Sequence, residues 1–354
     1  PLIPCPDDVT VGTSSNGTGD CEGDYTWRHP IPFDNCGIPS NYTLEIVEPI
    51  SGTSNPVPVA NASFTHVFDE GTSTLTYEAT DLGGNMGSCS FTVTVVDDEI
   101  PMITCPMDIM TTTSADGTGD CATDVTFTVP TPTDNCDMDL EMNYAIVKDD
   151  NTVIAIGATT PGGMITQNLE IGTYRVTVIA IDDDNNSIFC TFEITVEDDE
   201  DPTITCAADM TFDTDAGECE YLVQNTDLDP TATGDNCAVA SVSHNYPYAP
   251  NTNTLQGATF TPGTTTVTWT VVDSSGNTAT CDIDITVEDN EAPEVLNCPN
   301  DITVGTDNGV CQAVVTFDQI IATDNCSTPG NISWEYSLNG GMTWNPGQAS
   351  GLVY

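Results

Sequence analysis

Apolar and polar residues alternate with a period of two along much of the chain. Examples are Thr76-Tyr77-Glu78-Ala79, Phe91-Thr92-Val93-Thr94-Val95, Tyr174-Arg175-Val176-Thr177-Val178, Phe192-Glu193-Ile194-Thr195-Val196 and Val267-Thr268-Trp269-Thr270-Val271. Successive side chains of a strand point to opposite faces, so this pattern predicts half-buried β-strands. Thr, Val and Ile dominate these runs and suit a pleated surface. Turn clusters such as Asp81-Leu-Gly-Gly-Asn85 and Asp273-Ser-Ser-Gly-Asn277 separate them, and no stretch of ten residues carries a helical period. The expected fold is all-β, an antiparallel β-sandwich of roughly seven strands in about 100 residues, repeated in tandem.

Cysteines mark the repeat. Four recur in order as Cys5/Cys21/Cys36/Cys89, Cys105/Cys121/Cys136/Cys190 and Cys206/Cys219/Cys237/Cys281, followed by Cys298/Cys311/Cys326. First cysteines are spaced by 100, 101 and 92 residues, the size of a small domain rather than of a solenoid repeat. The expected division is 1–98, 99–199, 200–290 and a partial fourth domain, 291–354, arranged as an extended rod. The odd total of 15 cysteines then has a simple origin, a fourth set whose last member is expected beyond Tyr354. Both ends of the sequence read as interior to an array, because Pro1-Leu-Ile-Pro-Cys5 repeats the text Pro101-Met-Ile-Thr-Cys105.

Regular, dense cysteines point to an oxidising compartment and hence to an extracellular or cell-surface protein. Zinc-thiolate sites are disfavoured: there are no Cys-x-x-Cys pairs, and His29, His66 and His244 do not recur between sets. Each set of four allows three disulfide connectivities. Strand order favours first-to-fourth, because the first cysteine opens the first strand, the fourth lies early in the last, and these strands start at the same pole. That gives Cys5–Cys89, Cys105–Cys190 and Cys206–Cys281, and leaves Cys298 single. Elimination gives Cys21–Cys36, Cys121–Cys136, Cys219–Cys237 and Cys311–Cys326, provided that a loop doubles back to bring each pair within reach.

Charge adds the next constraint. There are 55 acidic residues against 3 basic ones, Arg28, Lys148 and Arg175, for a formal charge of -52. Nucleic acid and anionic membranes are excluded as direct partners, and no apolar run is long enough for membrane insertion. Internal ion pairs cannot offset such a charge, which leaves divalent cations as the obvious counter-charge. Scattered carboxylates serve solubility equally well.

Within each set the text runs Cys-Pro-x-Asp, Gly-x-Cys, Asp-Asn-Cys, Pro-Gly or Gly-Thr, Asp-x-x-Gly-Asn, Cys-x-(Phe/Ile)-x-(Val/Ile)-Thr-Val and Asp-x-Glu-x-Pro. This resembles the hyalin repeat (HYR) family. The second set departs at Asp182-Asp-Asp-Asn-Asn186, without Gly in the turn, and the third at Ala207-Ala208. The resemblance implies an immunoglobulin-like sandwich, an extracellular setting and a role in adhesion or matrix structure rather than catalysis. Long arrays of this kind resemble those on large surface proteins of Bacteroidetes-like bacteria.

Counting strands places three acidic segments at the pole where the chain enters each sandwich: the linker, the Asp-Asn-Cys loop and the last hairpin turn. The first junction gathers Asp97, Asp98 and Glu99 with Asp134, Asn135, Asp182 and Asn186. The second gathers Asp198, Asp199, Glu200, Asp201, Asp235, Asn236, Asp273 and Asn277, and the third Asp289, Asn290, Glu291, Asp324 and Asn325. Crowded carboxylates persist either protonated or around a hard cation, and calcium tolerates such a set better than magnesium. Asp and Asn also favour tight turns for backbone reasons alone, so the hairpin residues serve equally well without a metal.

Catalytic motifs are missing: there is no Gly-x-Ser-x-Gly, His-Glu-x-x-His or P-loop. Paired carboxylates recur in every set, which speaks for structure over a glycosidase site. Trp269 shares its strand position with Tyr77 and Val178 and reads as core, whereas Trp344 follows a turn and reads as exposed. The leading functional expectation is a structural segment of an extracellular adhesin or surface fibre, with neighbouring modules as partners and calcium at its junctions. Alternatives are a subunit of a non-covalently polymerised filament and a receptor ectodomain that binds glycans or a host or matrix surface through variable loops such as 51–63 and 149–167.

Overall fold

The computed structural model describes all residues except 18, 36, 38–40, 118, 328–330, 339–340, 342, 344 and 348–354. The chain divides into two compact units, Pro1–Asp198 and Asp199–Tyr354.

The first half of the first unit contains β1 (Val9–Gly12), β2 (Glu22–Arg28), β3 (Asn41–Glu48), β4 (Gly52–Ser54), β5 (Ser63–Asp69), β6 (Gly71–Thr80) and β7 (Met86–Val96). One sheet has the order β1-β7-β6-β3-β4, and β2 and β5 form a second, two-stranded sheet. Alternate residues of both sheets meet in one core: Trp27 and Phe68 from the small sheet, and Leu44, Ile46, Leu75, Tyr77, Phe91, Val93 and Val95 from the large one. The period-two pattern is thus the inward face of a sandwich. β1 pairs in parallel with β7, which sets Cys5 beside Cys89 in a disulfide with a Cα–Cα distance of 5.7 Å.

The second half repeats this plan with β8 (Ile109–Thr112), β9 (Ala122–Thr128), β10 (Glu141–Lys148), β11 (Val153–Thr159), β12 (Met164–Glu170), β13 (Gly172–Ile181) and β14 (Ser187–Glu197). Its sheets are β11-β10-β13-β14-β8 and β12-β9. Phe127, Ile146, Leu169, Tyr174, Val176, Phe192 and Ile194 share its core, and Cys105–Cys190 staples parallel β8 and β14.

The second unit begins with β15 (Thr203–Thr205), β16 (Met210–Asp213), β17 (Tyr221–Leu222), β18 (Ala232–Gly234), β19 (Val239–His244), β20 (Thr259–Phe260), β21 (Gly263–Asp273) and β22 (Thr278–Glu288). The sheet β16-β22-β21-β19 carries Val267, Trp269, Ile283 and Ile285 into a core shared with Val223, Leu228, Leu255 and Phe260. Cys206–Cys281 joins its parallel edge. Beyond Glu288 the described strands are two residues long, the first pair being β23 (Glu294–Val295) and β24 (Ala322–Thr323). The protein is therefore all-β, built of tandem sandwiches. No helix among the described residues is long and apolar enough to cross a membrane.

Trp269 is fully buried and belongs to the core, as its strand position suggests; Trp344 lies outside the described residues. Trp27 is also core, and its Nε1 donates to the Tyr77 hydroxyl at 2.8 Å, which in turn lies 2.6 Å from His29 Nδ1. Burial lowers the His29 pKa and so favours a neutral ring, whose Nδ1 accepts the Tyr77 proton. Tyr77→Phe is expected to strand both nitrogens in the core and cost about 1–3 kcal/mol. Chemical denaturation measures this, and an unchanged midpoint would show that the triad contributes nothing.

Candidate functional site

Backbone pairing positions the acidic segments. The entering segment of every set pairs with the residue just before its Asp-Asn-Cys loop: Leu2 with Phe33, Met102 with Thr133, Thr203 with Gly234 and Glu294 with Thr323. Linker acids therefore lie beside that loop by construction. Within the loop the Asp side chain caps the following turn: Asp134 Oδ1 accepts the N–H groups of Cys136 and Asp137 at 2.8 and 3.1 Å. Asp235 and Asp324 do the same for Cys237 and Ala238, and for Cys326 and Ser327.

At the first junction, oxygens of Asp97, Asp137 and Asp182 lie within 4.8 Å of one another, and Asp134 joins Asp97 in an overlapping group. Asp97 and Asp182 are buried. The inner oxygens are Asp97 Oδ2, Asp134 Oδ2 and Asp182 Oδ2, all buried and without a hydrogen-bond donor. The outer oxygens are occupied: Asp97 Oδ1 accepts from Thr13 Oγ1 at 3.0 Å and from the Glu99 amide at 3.1 Å, and Asp182 Oδ1 accepts from the Asn186 amide at 2.7 Å. Burial pushes the Asp97 pKa up, reinforced by the Asp134 and Asp182 charges and opposed by its hydrogen bonds.

The predicted carboxamides act as clamps. Asn186 Nδ2 donates to the Asp97 carbonyl at 3.0 Å, while Asn135 Nδ2 donates to Glu99 Oε2 at 2.7 Å and to the Asp20 carbonyl at 3.1 Å. Asp98 turns away from the group. Its oxygens accept from the Ser14 amide and hydroxyl, both at 2.9 Å, which hold its pKa below the usual carboxylate range. Gly12 leaves room for that carboxylate, since a Cβ there would overlap it.

Two participants escape a reading based on repetition. Asp137 has no acidic counterpart, the equivalent residues being Gly37, Ala238 and Ser327, yet its Oδ2 accepts the Asp183 amide at 2.9 Å and ties the loop to the hairpin. Glu70 comes from the preceding sandwich; burial raises its pKa first, followed by the charges of Asp184, Asp137, Asp97 and Asp134. Departure from the repeat would have flagged Asp137, and nothing local marks Glu70.

The other junctions differ. The set Asp198, Asp199, Glu200, Asp201, Asp235, Asn236, Asp273 and Asn277 is divided between the two units. On its own side, Asp273 Oδ1 accepts three amides, from Ser275, Gly276 and Asn277, and Oδ2 accepts Asn277 Nδ2, the pattern of a turn built without a metal. Burial alone would raise the Asp273 pKa, and these bonds reverse it. In the third set, both Glu291 oxygens accept the Gly217 amide, Asp289 Oδ1 accepts the Glu291 amide and Asn290 Nδ2 donates to Asp213. Asp289, Glu291 and Asp324 form no group of three ligand atoms there.

The second class of disulfides corrects the sequence reading. Cys21 bonds Cys136 and Cys219 bonds Cys326, with Cα–Cα distances of 4.9 and 4.7 Å. The pairs Cys21–Cys36, Cys121–Cys136, Cys219–Cys237 and Cys311–Cys326 therefore do not form. Cys36 lies outside the described residues, Cys121 and Cys237 are disulfide-bonded, and Cys298 and Cys311 are free and exposed. The reason is geometric: β2 starts right after Cys21 and runs extended for seven residues, about 23 Å away from it. Each such bond instead crosses a junction, from the second cysteine of one set to the Asp-Asn-Cys cysteine of the next. A hydrogen bond accompanies it, from Asn135 to the carbonyl before Cys21 and from Asn325 to the Glu218 carbonyl before Cys219. Bonded to Cys136, Cys21 has no proton for Glu70 Oε2, so their 3.1 Å approach is a plain contact.

The HYR domain family model matches residues 20–95 and 197–287. Both stretches are similar to the HYR domain. Hyalin of Strongylocentrotus purpuratus is 28% identical over 297 residues, covering 80% of this chain and 22% of that protein. Hyalin of Lytechinus variegatus is 28% identical over 262 residues, 73% of this chain and 44% of that protein. A mouse sushi, von Willebrand factor type A, EGF and pentraxin domain-containing protein is 33% identical over 105 residues, 29% of this chain and 2% of its own. The chain thus spans less than half of the hyalins it matches. These relatives are metazoan and give no support to the bacterial setting that the resemblance suggested.

Among solved structures, a bacterial ice-binding adhesin of 1.5 MDa covers 81% of this chain and 97% of its own, with 13% identity and a TM-score of 0.33. Protocadherin gamma B2 domains 1–5 cover 92% and 66%, with 14% identity and a TM-score of 0.29. Both overlaps are too loose to inform function. The disulfides belong to an oxidising compartment, so the protein is extracellular or displayed at the cell surface.

Proposed function

We propose that the chain is a structural, adhesion-type segment of an extracellular fibre or matrix, non-catalytic, divided at 1–98, 99–199, 200–290 and 291–354, and that its first junction holds a calcium ion. The observation that carries the ion is the set of three buried carboxylate oxygens without donors, on Asp97, Asp134 and Asp182. Oxygens of Asp97, Asp137 and Asp182 lie within 4.8 Å of one another, a spacing that suits ligands at 2.3–2.6 Å around one centre, and Asp134 and Glu70 stand close enough to add charge. Among the described residues no basic side chain is placed to serve instead: Lys148 pairs with Glu170 at 3.7 Å, Arg28 donates to the Asn61 carbonyl and Arg175 is exposed on β13.

The ligands come from the linker, the loop and the hairpin of the second sandwich, while Thr13 and Glu70 reach the same place from the first. An ion there would hold the two sandwiches together alongside Cys21–Cys136, removing hinge freedom from a short linker. Neighbouring modules are the partners this reading requires, and glycans or matrix surfaces are the targets an adhesion role implies. Isothermal titration with calcium tests it: the wild type is expected to bind, and Asp182→Asn to bind at least about tenfold more weakly, since one charged ligand is lost. Equal affinity in the two proteins, or no heat in either, would remove the cation from the scheme.

A further inference from the structure

We propose that β11 of the second sandwich is the interface strand of a dimer, pairing antiparallel with β11 of a second copy of this chain. Among the described residues β11 (Val153–Thr159) is the edge of its sheet, bonded to β10 on one side only. Its other side offers a row of backbone N–H and C=O groups, a template for a further strand. Native edges are blunted by charge, by Pro or by shortness, and β11 has none of these. It runs seven residues, Val-Ile-Ala-Ile-Gly-Ala-Thr, without a charge or a Pro, in a chain with 55 acidic residues. Val153 and Ile156 are 58% and 72% exposed, while Ile154 and Ala155 pack on the core.

The same position is blunted in the other sandwiches. In the first, β4 pairs with β3 for three residues and ends before Pro56 and Pro58. In the third, the segment after β19 carries Pro247 and Pro250. Charge selects the partner. An edge cleared of carboxylates on an otherwise acidic surface suits a partner that is itself acidic, as a second copy with the same formal charge of -52 is; a basic partner would gain from carboxylates there. Among the described strands of six residues or more with a free edge, β11 and β19 alone lack Asp, Glu, Lys and Arg. β19 is overlaid at its end, where the Thr252 carbonyl accepts the His244 amide at 2.9 Å and the Thr254 carbonyl lies 3.2 Å from His244 Nε2. That leaves β11 to meet β11, a self-complementary contact closed by a twofold axis.

The twofold also keeps the nearest carboxylates apart. With the axis at Ile156, Val153 stands opposite Thr159, and the Asp149-Asp150 corner of each copy stands opposite Gly162 and Gly163 of the other. Asp150 is engaged at that corner: its Oδ1 accepts the Thr152 amide at 2.8 Å, in a turn closed by the Asn151 amide on the Lys148 carbonyl. Each Ile156 faces its counterpart, so apolar surface exposed in one chain is covered in the pair, and two five-stranded sheets become one. The contact uses no cation and no group of the first junction, so it does not rest on the calcium site.

Sedimentation equilibrium of the 354-residue protein in chelator is the test. The wild type is expected to dimerise reversibly, and more tightly as salt rises from about 0.1 to about 1 M. The screening length then falls from about 10 to about 3 Å, so the general repulsion fades while a neutral contact loses nothing. Ile156→Lys sets two like charges across the axis and is expected to raise the dimer Kd at least about tenfold. Val59→Lys adds the same charge at an exposed site of the first sandwich and should leave the Kd unchanged. Both positions are exposed, so both variants should fold. Hydrogen exchange within 153–159 should slow as protein concentration rises. A wild type that stays monomeric at every salt concentration, a dimer indifferent to Ile156→Lys, or protection that appears at β19 instead of β11 would each overturn the proposal. Because chelator is present throughout, a dimer in protein that binds no calcium would sink the cation reading and leave this one standing.

Discussion

Removing the first-to-fourth disulfide, by Cys5→Ser with Cys89→Ser, is expected to destabilise the first sandwich by about 4.5 kcal/mol, by the loop-entropy relation for a bond spanning a sequence separation of 84. The bond joins β1, which touches its sheet only along the parallel edge of β7. Without the bond, the unfolded chain regains the freedom of that loop while the folded state keeps its core. Hydrogen exchange resolved to peptides of β6 and β7 measures the loss. By contrast, Cys136→Ser with Cys21→Ser should leave exchange in both cores nearly unchanged, because that bond lies outside either core and crosses the junction. Equal effects from the two pairs would show that the division of labour between staple and junction is wrong.

Chelation should reverse the sign of the protein's response to pH. In the metal-free folded state Asp97 has a raised pKa, caused first by burial and then by the Asp134 and Asp182 charges. The folded state therefore holds a proton to higher pH than the unfolded chain, and the sign of linkage makes stability fall as pH rises from the ordinary Asp value of about 4 through the folded value. Chelated protein should thus melt at higher temperature at pH 5 than at pH 7. With saturating calcium, protons compete with the ion and the same acidification should lower the melting temperature.

A site present at about a thousandfold excess of calcium over its Kd gains about 4 kcal/mol, so the calcium effect at pH 7 should be large. Asp97→Asn separates this cluster from relief of the general negative charge. In chelator at pH 7 the variant should melt above the wild type, having lost a buried repulsion, and calcium should stabilise it far less. The carboxylates held low, such as Asp98 and Asp69, do not interfere, because their contribution is lost only on acidification below the ordinary Asp range. Parallel pH profiles with and without chelator would reject the linkage.

Much of this architecture is legible in the chain itself. Alternation in 76–79, 91–95, 173–178, 192–196 and 267–271 marks β6, β7, β13, β14 and β21, because a pleated strand shows its period directly in the sequence. The parallel relation of first and last strands follows from strand count, and with it the Cys5–Cys89 class of bond. Asp97 and Asp182 share one cluster of carboxylates and Asp134 joins Asp97 in an overlapping one, all three in segments that the topology returns to one pole.

What repeats can be read from one set of motifs, and what joins one sandwich to the next cannot. Composition, period and cysteine spacing determined an oxidised tandem array of acidic sandwiches, because these depend on local geometry and on the count of side chains. Only the tertiary structure decided that Cys21 reaches Cys136 rather than Cys36, that Asp98 serves Ser14 while Asp182 keeps an oxygen free, and that Glu70 and Asp137 belong to the junction. Those choices turn on which surfaces of two successive domains face each other, a relation between residues more than a hundred positions apart for the disulfide that no local pattern encodes.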